Sequence, residues 1–290
     1  MRRTNLFIVL GVAASLMVTH QVAATLLYGH AGWDYTGLYL IDTVAQTATQ
    51  VGEDPVRDGS GPDIQMSPDN ATIYMSRAGW WDDELDESLY LIDPRTGLNT
   101  GTLALSNFPG ATDTPTALEF VGSTLYASFS LAGPEVNSGI LGTIDLDTGA
   151  ITEIGTMEDM DRPTGGLDYV DGTMYAVSST DNDDSRLFTI DLVTGAATLV
   201  GALTLDGVQK EGATALAYAD GVMYTLLTDG KEQDSNLYSI DLSTGALTLE
   251  FDMGVTLNSL TKPVPEPATI LLFGSGAAGF AVFRRKRKKR

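Results

Sequence analysis

The sequence predicts an all-β fold, a five-bladed β-propeller of four-stranded antiparallel blades, and three observations carry that expectation. A strand-like string ending in Ile-Asp occurs five times, as LYLID at 38–42, LYLID at 89–93, LGTID at 141–145, LFTID at 187–191 and LYSID at 237–241. Its closing aspartates, Asp42, Asp93, Asp145, Asp191 and Asp241, are spaced 51, 52, 46 and 50 residues apart. An unmatched strand-like run, TLNSLT at 256–261, follows the fifth unit, while the first unit lacks a strand at that place. Short strands at a period of ~50 residues with few helix signals are the signature of a propeller. A six-bladed count or an open β-solenoid is the alternative.

Each unit resolves into four strands, A to D. The Ile-Asp string is strand C. Upstream lies strand B with a tyrosine, at Tyr28, Tyr74, Tyr126, Tyr175 and Tyr224. Strand A precedes it, as in ALEFVG at 117–122, GLDYVDG at 166–172 and ALAYADG at 215–221. Strand D follows strand C, as in AITEIG at 150–155 and AATLVG at 196–201. Strand C is apolar on both faces, as with Leu187, Phe188 and Ile190, which suits a blade sandwiched between neighbours. The run 256–261 can supply strand A of the first blade and join both ends of the domain in one sheet.

In four units the C–D connection reads Asp-x-x-Thr-Gly, at 93–97, 145–149, 191–195 and 241–245. Asp accepts a backbone N–H two residues on, and Gly supplies the positive φ of a short hairpin. The five aspartates resemble a catalytic array only superficially; a repeated turn device accounts for them. The first unit departs, with Thr43-Val44-Ala45-Gln46 after Asp42, so a looser turn is expected there.

The ends carry a different message. Arg2 and Arg3, an apolar run from Leu6 to Val18 and Val22-Ala23-Ala24 have the layout of a secretory signal cleaved before Thr25. At the other end Val264-Pro265-Glu266-Pro267 precedes sixteen uncharged residues, 268–283, and the basic block 284–290. As a helix that apolar run spans ~24 Å, enough to cross a bilayer that thins slightly around it. The basic block should remain cytoplasmic. The expected division is therefore a signal peptide at 1–24, a repeat domain at 25–262 and a C-terminal segment at 263–290 with a transmembrane helix at 268–283.

This C-terminal segment resembles the PEP-CTERM sorting signal of Gram-negative bacteria. The resemblance implies recognition by an exosortase, with Pro265, Glu266 and Pro267 as the processing motif. It also implies transient anchoring in the inner membrane, then a place at the cell surface or in the extracellular matrix of species that make exopolysaccharide. Signal peptidase and exosortase are the expected processing partners. The LYxID-x-x-TG rhythm is similar to YVTN and quinoprotein-like propeller repeats. That similarity bears on fold alone, because the paired cysteines and tryptophan pattern of the quinone-dependent enzymes are missing.

Composition narrows the chemistry. Between the signal and the basic block lie 8 basic and 38 acidic residues, a net charge of −30 that repels nucleic acid. The chain has no cysteine, which removes thiol nucleophiles and zinc–thiolate sites. His30 is the single histidine after the signal, so neither a Ser-His-Asp triad nor a polyhistidine metal centre is expected.

The B–C loops are long and acidic and carry all three tryptophans: Trp33 in the first unit, Trp80 and Trp81 in the second, beside Asp82 and Asp83. These five residues are the candidate ligand-binding set, since aromatic rings stack on sugars while carboxylates hold hydroxyls. Asp181, Asp183 and Asp184 are a candidate calcium set, because calcium favours hard oxygen ligands. No cofactor is required. The expected function is a non-enzymatic exported propeller that binds or organises extracellular polysaccharide. A glycoside hydrolase or lyase with paired carboxylates and a purely structural surface protein are the other two readings.

Overall fold

The computed structural model describes residues 25–31, 37–53, 60–78, 87–109, 115–130, 139–158, 160, 164–178, 184–227 and 235–263. Among them there is no helix, only strands and turns. The expected signal at 1–24 and membrane helix at 268–283 lie outside the described residues.

Five sheets form the ring. Blade 1 contains β1 (Leu26–Ala31), β2 (Gly37–Asp42) and β3 (Thr47–Glu53). Blade 2 is β4 (Ser60–Met66), β5 (Ile73–Ala78), β6 (Ser88–Ile92) and β7 (Asn99–Ala104). Blade 3 is β8 (Pro115–Val121), β9 (Thr124–Ser130), β10 (Gly139–Ile144) and β11 (Ile151–Met157). Blade 4 is β12 (Thr164–Val170), β13 (Thr173–Ser178), β14 (Arg186–Ile190) and β15 (Ala197–Ala202). A two-strand hairpin, β16 (Thr204–Leu205) and β17 (Val208–Gln209), follows. Blade 5 is β18 (Ala213–Ala219), β19 (Val222–Leu227), β20 (Asn236–Ile240) and β21 (Ala246–Asp252). The last strand, β22 (Ser259–Thr261), returns to blade 1 and pairs antiparallel with β1, Tyr28 opposite Thr261 and His30 opposite Ser259. The ring closes as the unmatched run predicted.

Strand A of every blade is innermost, and β22, β4, β8, β12 and β18 pack on one another around the axis. Their buried aliphatics, Ile64, Leu118, Leu167, Leu216 and Leu260, are at most 3% exposed. Burying each such side chain contributes about 1.5–3 kcal/mol. Five apolar clusters fill the molecule, one at each blade–blade interface. The core is thus divided among the joints rather than concentrated at one centre, which is why both faces of strand C are apolar.

The turns follow the local chemistry. In the C–D turns the aspartate carboxylate accepts amides two and three residues on, as from Val193 and Thr194 to Asp191 at 2.8 and 2.9 Å. Asp42 does the same with Val44 and Ala45 at 2.9 and 2.8 Å, so the first turn is not looser as expected. Gln46 takes the glycine place there at a φ of 55°. The A–B turns Asp171-Gly172 and Asp220-Gly221 have positive φ at both residues, the type I′ geometry that matches strand twist.

At every C–D pairing the register slips by one residue, leaving a bulge on strand D. Sheet twist accumulates from the axis outwards, so the end of each strand D swings against the C–D turn of the next blade. After the bulge come Gly52, Gly155 and Gly201, whose backbones rest on the carbonyls of Thr96, Thr194 and Thr244. A Cβ at any of the three would overlap that carbonyl. Blade 2 solves the same contact differently: Ser106 bridges to Ala150, donating to Gly149 O at 3.0 Å and accepting from Ile151 at 2.9 Å. At the blade 5–blade 1 joint the glycine place holds Phe251, and the Gln46 side chain donates to the carbonyl of Glu250 at 3.1 Å.

Candidate functional site

The inner strands carry polar side chains on the face opposite their aliphatics, at Gln65, Glu119, Asp168 and Thr261, with Ala217 at the equivalent place in blade 5. They bind across the joints. Met66 N–H donates to Thr261 Oγ1 at 2.9 Å, and Tyr218 N–H donates to Asp168 Oδ2 at 2.6 Å. Glu119 accepts from Tyr169 N–H and, at 2.6 Å, from Gln65 Nε2. Asp63, one alternation earlier on β4, accepts from Leu118 N–H at 2.7 Å. Each backbone donor belongs to the next inner strand and the Gln65 amide to the preceding one, so the belt ties blade to blade.

Lys262, just beyond β22, reaches across the axis and places Nζ 2.5 Å from Asp168 Oδ1. Burial pushes the Asp63 and Glu119 carboxyls well above the usual carboxylate range. Burial also raises Asp168, against the opposing pull of the Lys262 ammonium. A raised carboxyl suits general-acid work. Asp63, Glu119 and Asp168 are nevertheless only 2–3% exposed and accept inter-blade hydrogen bonds.

The C–D aspartates stand at the surface as turn holders. The Thr148 hydroxyl and nearby amides hold Asp145 below its ordinary value, the Thr194 and Val193 amides do so for Asp191, and the Ser243 hydroxyl for Asp241. Open recesses of about 520 and 250 Å³ lie on blade 5 and on the blade 3–4 joint, respectively. Each is lined by a single carboxylate, Asp241 and Glu158 respectively.

Trp33, Trp80, Trp81, Asp82, Asp83, Asp181 and Asp183 lie outside the described residues, as do Pro265, Glu266 and Pro267. The strand ends that flank the tryptophan segments are described: Ala31 and Gly37 in blade 1, Ala78 and Ser88 in blade 2. Both pairs sit at the B–C ends of neighbouring blades. Asp184 is exposed and forms a bridge with Glu211. Among the described residues no group of three or more His, Asp or Glu is placed to hold a metal ion.

The axial belt was not singled out from the sequence. Its signal was present in ALEFVG and GLDYVDG: a lone carboxylate, Glu119 or Asp168, inside an otherwise apolar strand. Buried carboxylates are rare unless paired or hydrogen-bonded.

Residues 263–287 match the PEP-CTERM protein-sorting motif. That motif marks an exosortase-processed protein exported to the cell surface or beyond in Gram-negative bacteria. Solved structures similar to the chain include hydrazine synthase of Kuenenia stuttgartiensis, at 18% identity and a TM-score of 0.42 over 67% of this chain and 49% of that one. Glutaminyl cyclase of Myxococcus xanthus shares 14% identity over 82% of this chain and 75% of that one, with a TM-score of 0.45. TolB of Acinetobacter baumannii shares 18% over 78% and 52%, also with a TM-score of 0.45. The chain spans about half the length of the hydrazine synthase chain. No curated protein sequence matches it.

Proposed function

We propose that the exported propeller is a non-catalytic module that binds extracellular polysaccharide through its B–C loops. The observation that carries this reading is the placement of the strand ends that flank the two tryptophan-bearing segments. Their flanking strand ends lie on neighbouring blades and at the same end of the sheet. Long loops on one side of a rigid scaffold are the usual place for recognition. The described carboxylates support binding over hydrolysis: those on the axis are buried, and the two recesses on blade 5 and the blade 3–4 joint each offer one described carboxylate rather than a pair. Calcium is the candidate ion for the acidic loops.

The test is a glycan-binding screen of residues 25–262 with and without calcium, followed by W80A/W81A on the best ligand. Binding that falls at least tenfold in the double variant supports the reading. Undiminished binding removes the aromatic platform, and release of reducing sugar during incubation replaces binding with catalysis.

A further inference from the structure

Both ends of the domain leave the ring on the same face. β1 begins beside the A–B turns: Thr25 Oγ1 donates to Asp220 Oδ2 at 2.7 Å, and Asp220 belongs to the A–B turn of blade 5. β22 runs antiparallel to β1, so Lys262 and Pro263 emerge at that same end of blade 1. The apolar run 268–283, expected to anchor the chain, starts five residues after Pro263. Fully extended, that spacer reaches no more than about 18 Å. Blades 1 and 4 are not neighbours, so the Lys262–Asp168 pair holds the root of the C-terminal segment across the axis rather than at the rim.

We propose that the A–B turn face is the bilayer-facing surface of the membrane-anchored protein, held near the phospholipid headgroups by the short C-terminal spacer and not by attraction to its acidic turns, and that Lys262 keeps the disc face-on. The B–C ends of the strands then face away from the membrane. This placement rests on the chain ends and not on any sugar ligand, so it stands or falls separately from the binding reading.

The absence of cysteine makes the test clean. Ser123, exposed in the A–B turn of blade 3, and Ser130, half-buried at the B–C end, bracket β9. Seven strand residues separate their ends by about 20 Å. S123C and S130C are made in the full chain, labelled with one donor dye and reconstituted into phosphatidylglycerol–phosphatidylethanolamine vesicles containing acceptor-labelled headgroups. Energy transfer at least twofold greater from S123C is expected. Equal transfer, as from a disc on its rim or tumbling on its spacer, overturns the proposal. Greater transfer from S130C, as from a propeller resting on its loops, overturns it too. K262M, which keeps the side-chain bulk, should shrink the difference, and an unchanged difference removes Lys262 as the pin.

Discussion

The glycine joints and the closing joint of the ring solve one packing problem with different materials. At Gly52, Gly155 and Gly201 backbone lies directly on backbone, and the contact tolerates no side chain. Where blade 5 meets blade 1, Phe251 and Gln46 replace the two glycines, and side-chain amide and hydroxyl groups make the bond. The in-line joints are formed by segments already continuous in the chain, so steric fit suffices. The closing joint must gather two remote ends. It adds a hydrogen bond from Asn258 N–H to His30 O, and it uses the three-residue β22.

If closure is what makes the ring cooperative, ending the chain after Asn258 is the most damaging change available. It removes buried Leu260, the belt member Thr261 and the Lys262 pair, an expected loss of more than about 5 kcal/mol. Thermal unfolding by circular dichroism should then lose its single transition. A melting temperature within a few degrees of the parent's would show the seam to be dispensable.

The glycine joints come next. G155V and G201V force a side chain into a neighbouring carbonyl and should each cost about 3 kcal/mol or more in urea unfolding. G101V is the control, because a Cβ there meets nothing within 4 Å. Equal stability of all three variants would refute the backbone-contact account.

Acid should attack the closing sheet through His30. Burial lowers its pKa from 6.5 to about 4, and neither ring nitrogen has a partner. Its neutral form contributes stability that is whole above pH 6.5 and lost as pH falls through about 4, worth about 3 kcal/mol. The melting temperature should therefore drop across that window, and H30M should flatten the drop. A slope identical in both proteins would acquit His30. The neighbouring cavity of about 10 Å³ has room for one water.

The smallest effect belongs to Gln46. Q46A loses one exposed side-chain bond to Glu250 O and should cost about 1 kcal/mol. A larger loss would mean that the seam depends on its amide far more than its exposure allows.

The repeat, the turn aspartates and ring closure through 256–261 were legible because each is local or periodic. Asp191 bonds to amides two and three residues away, so a short string suffices to find it. The glycine joints were visible as VG or IG but not interpretable, since the partner of Gly155 is Thr194 on another blade. The same limit hid the belt, where Asp168 finds its donors at Tyr218 and Lys262. The first turn departs from expectation because Gln46 adopts a positive φ that its sequence neighbours do not announce. Trp80 and Trp81 stand in a segment whose composition names a chemistry and whose shape it does not specify.

The pairing of Tyr28 with Thr261 also sets a timetable. Nearly the whole domain must be synthesised before the strand that completes blade 1 becomes available, and the next hydrophobic stretch begins only a few residues later. Contacts so distant along the chain form late and slowly. Until then β1 exposes an unpaired edge, a template for unwanted strand addition. A chain that stops short of Ser259 cannot finish its ring, so the completed disc is a physical record that the chain has been made through to its final strand.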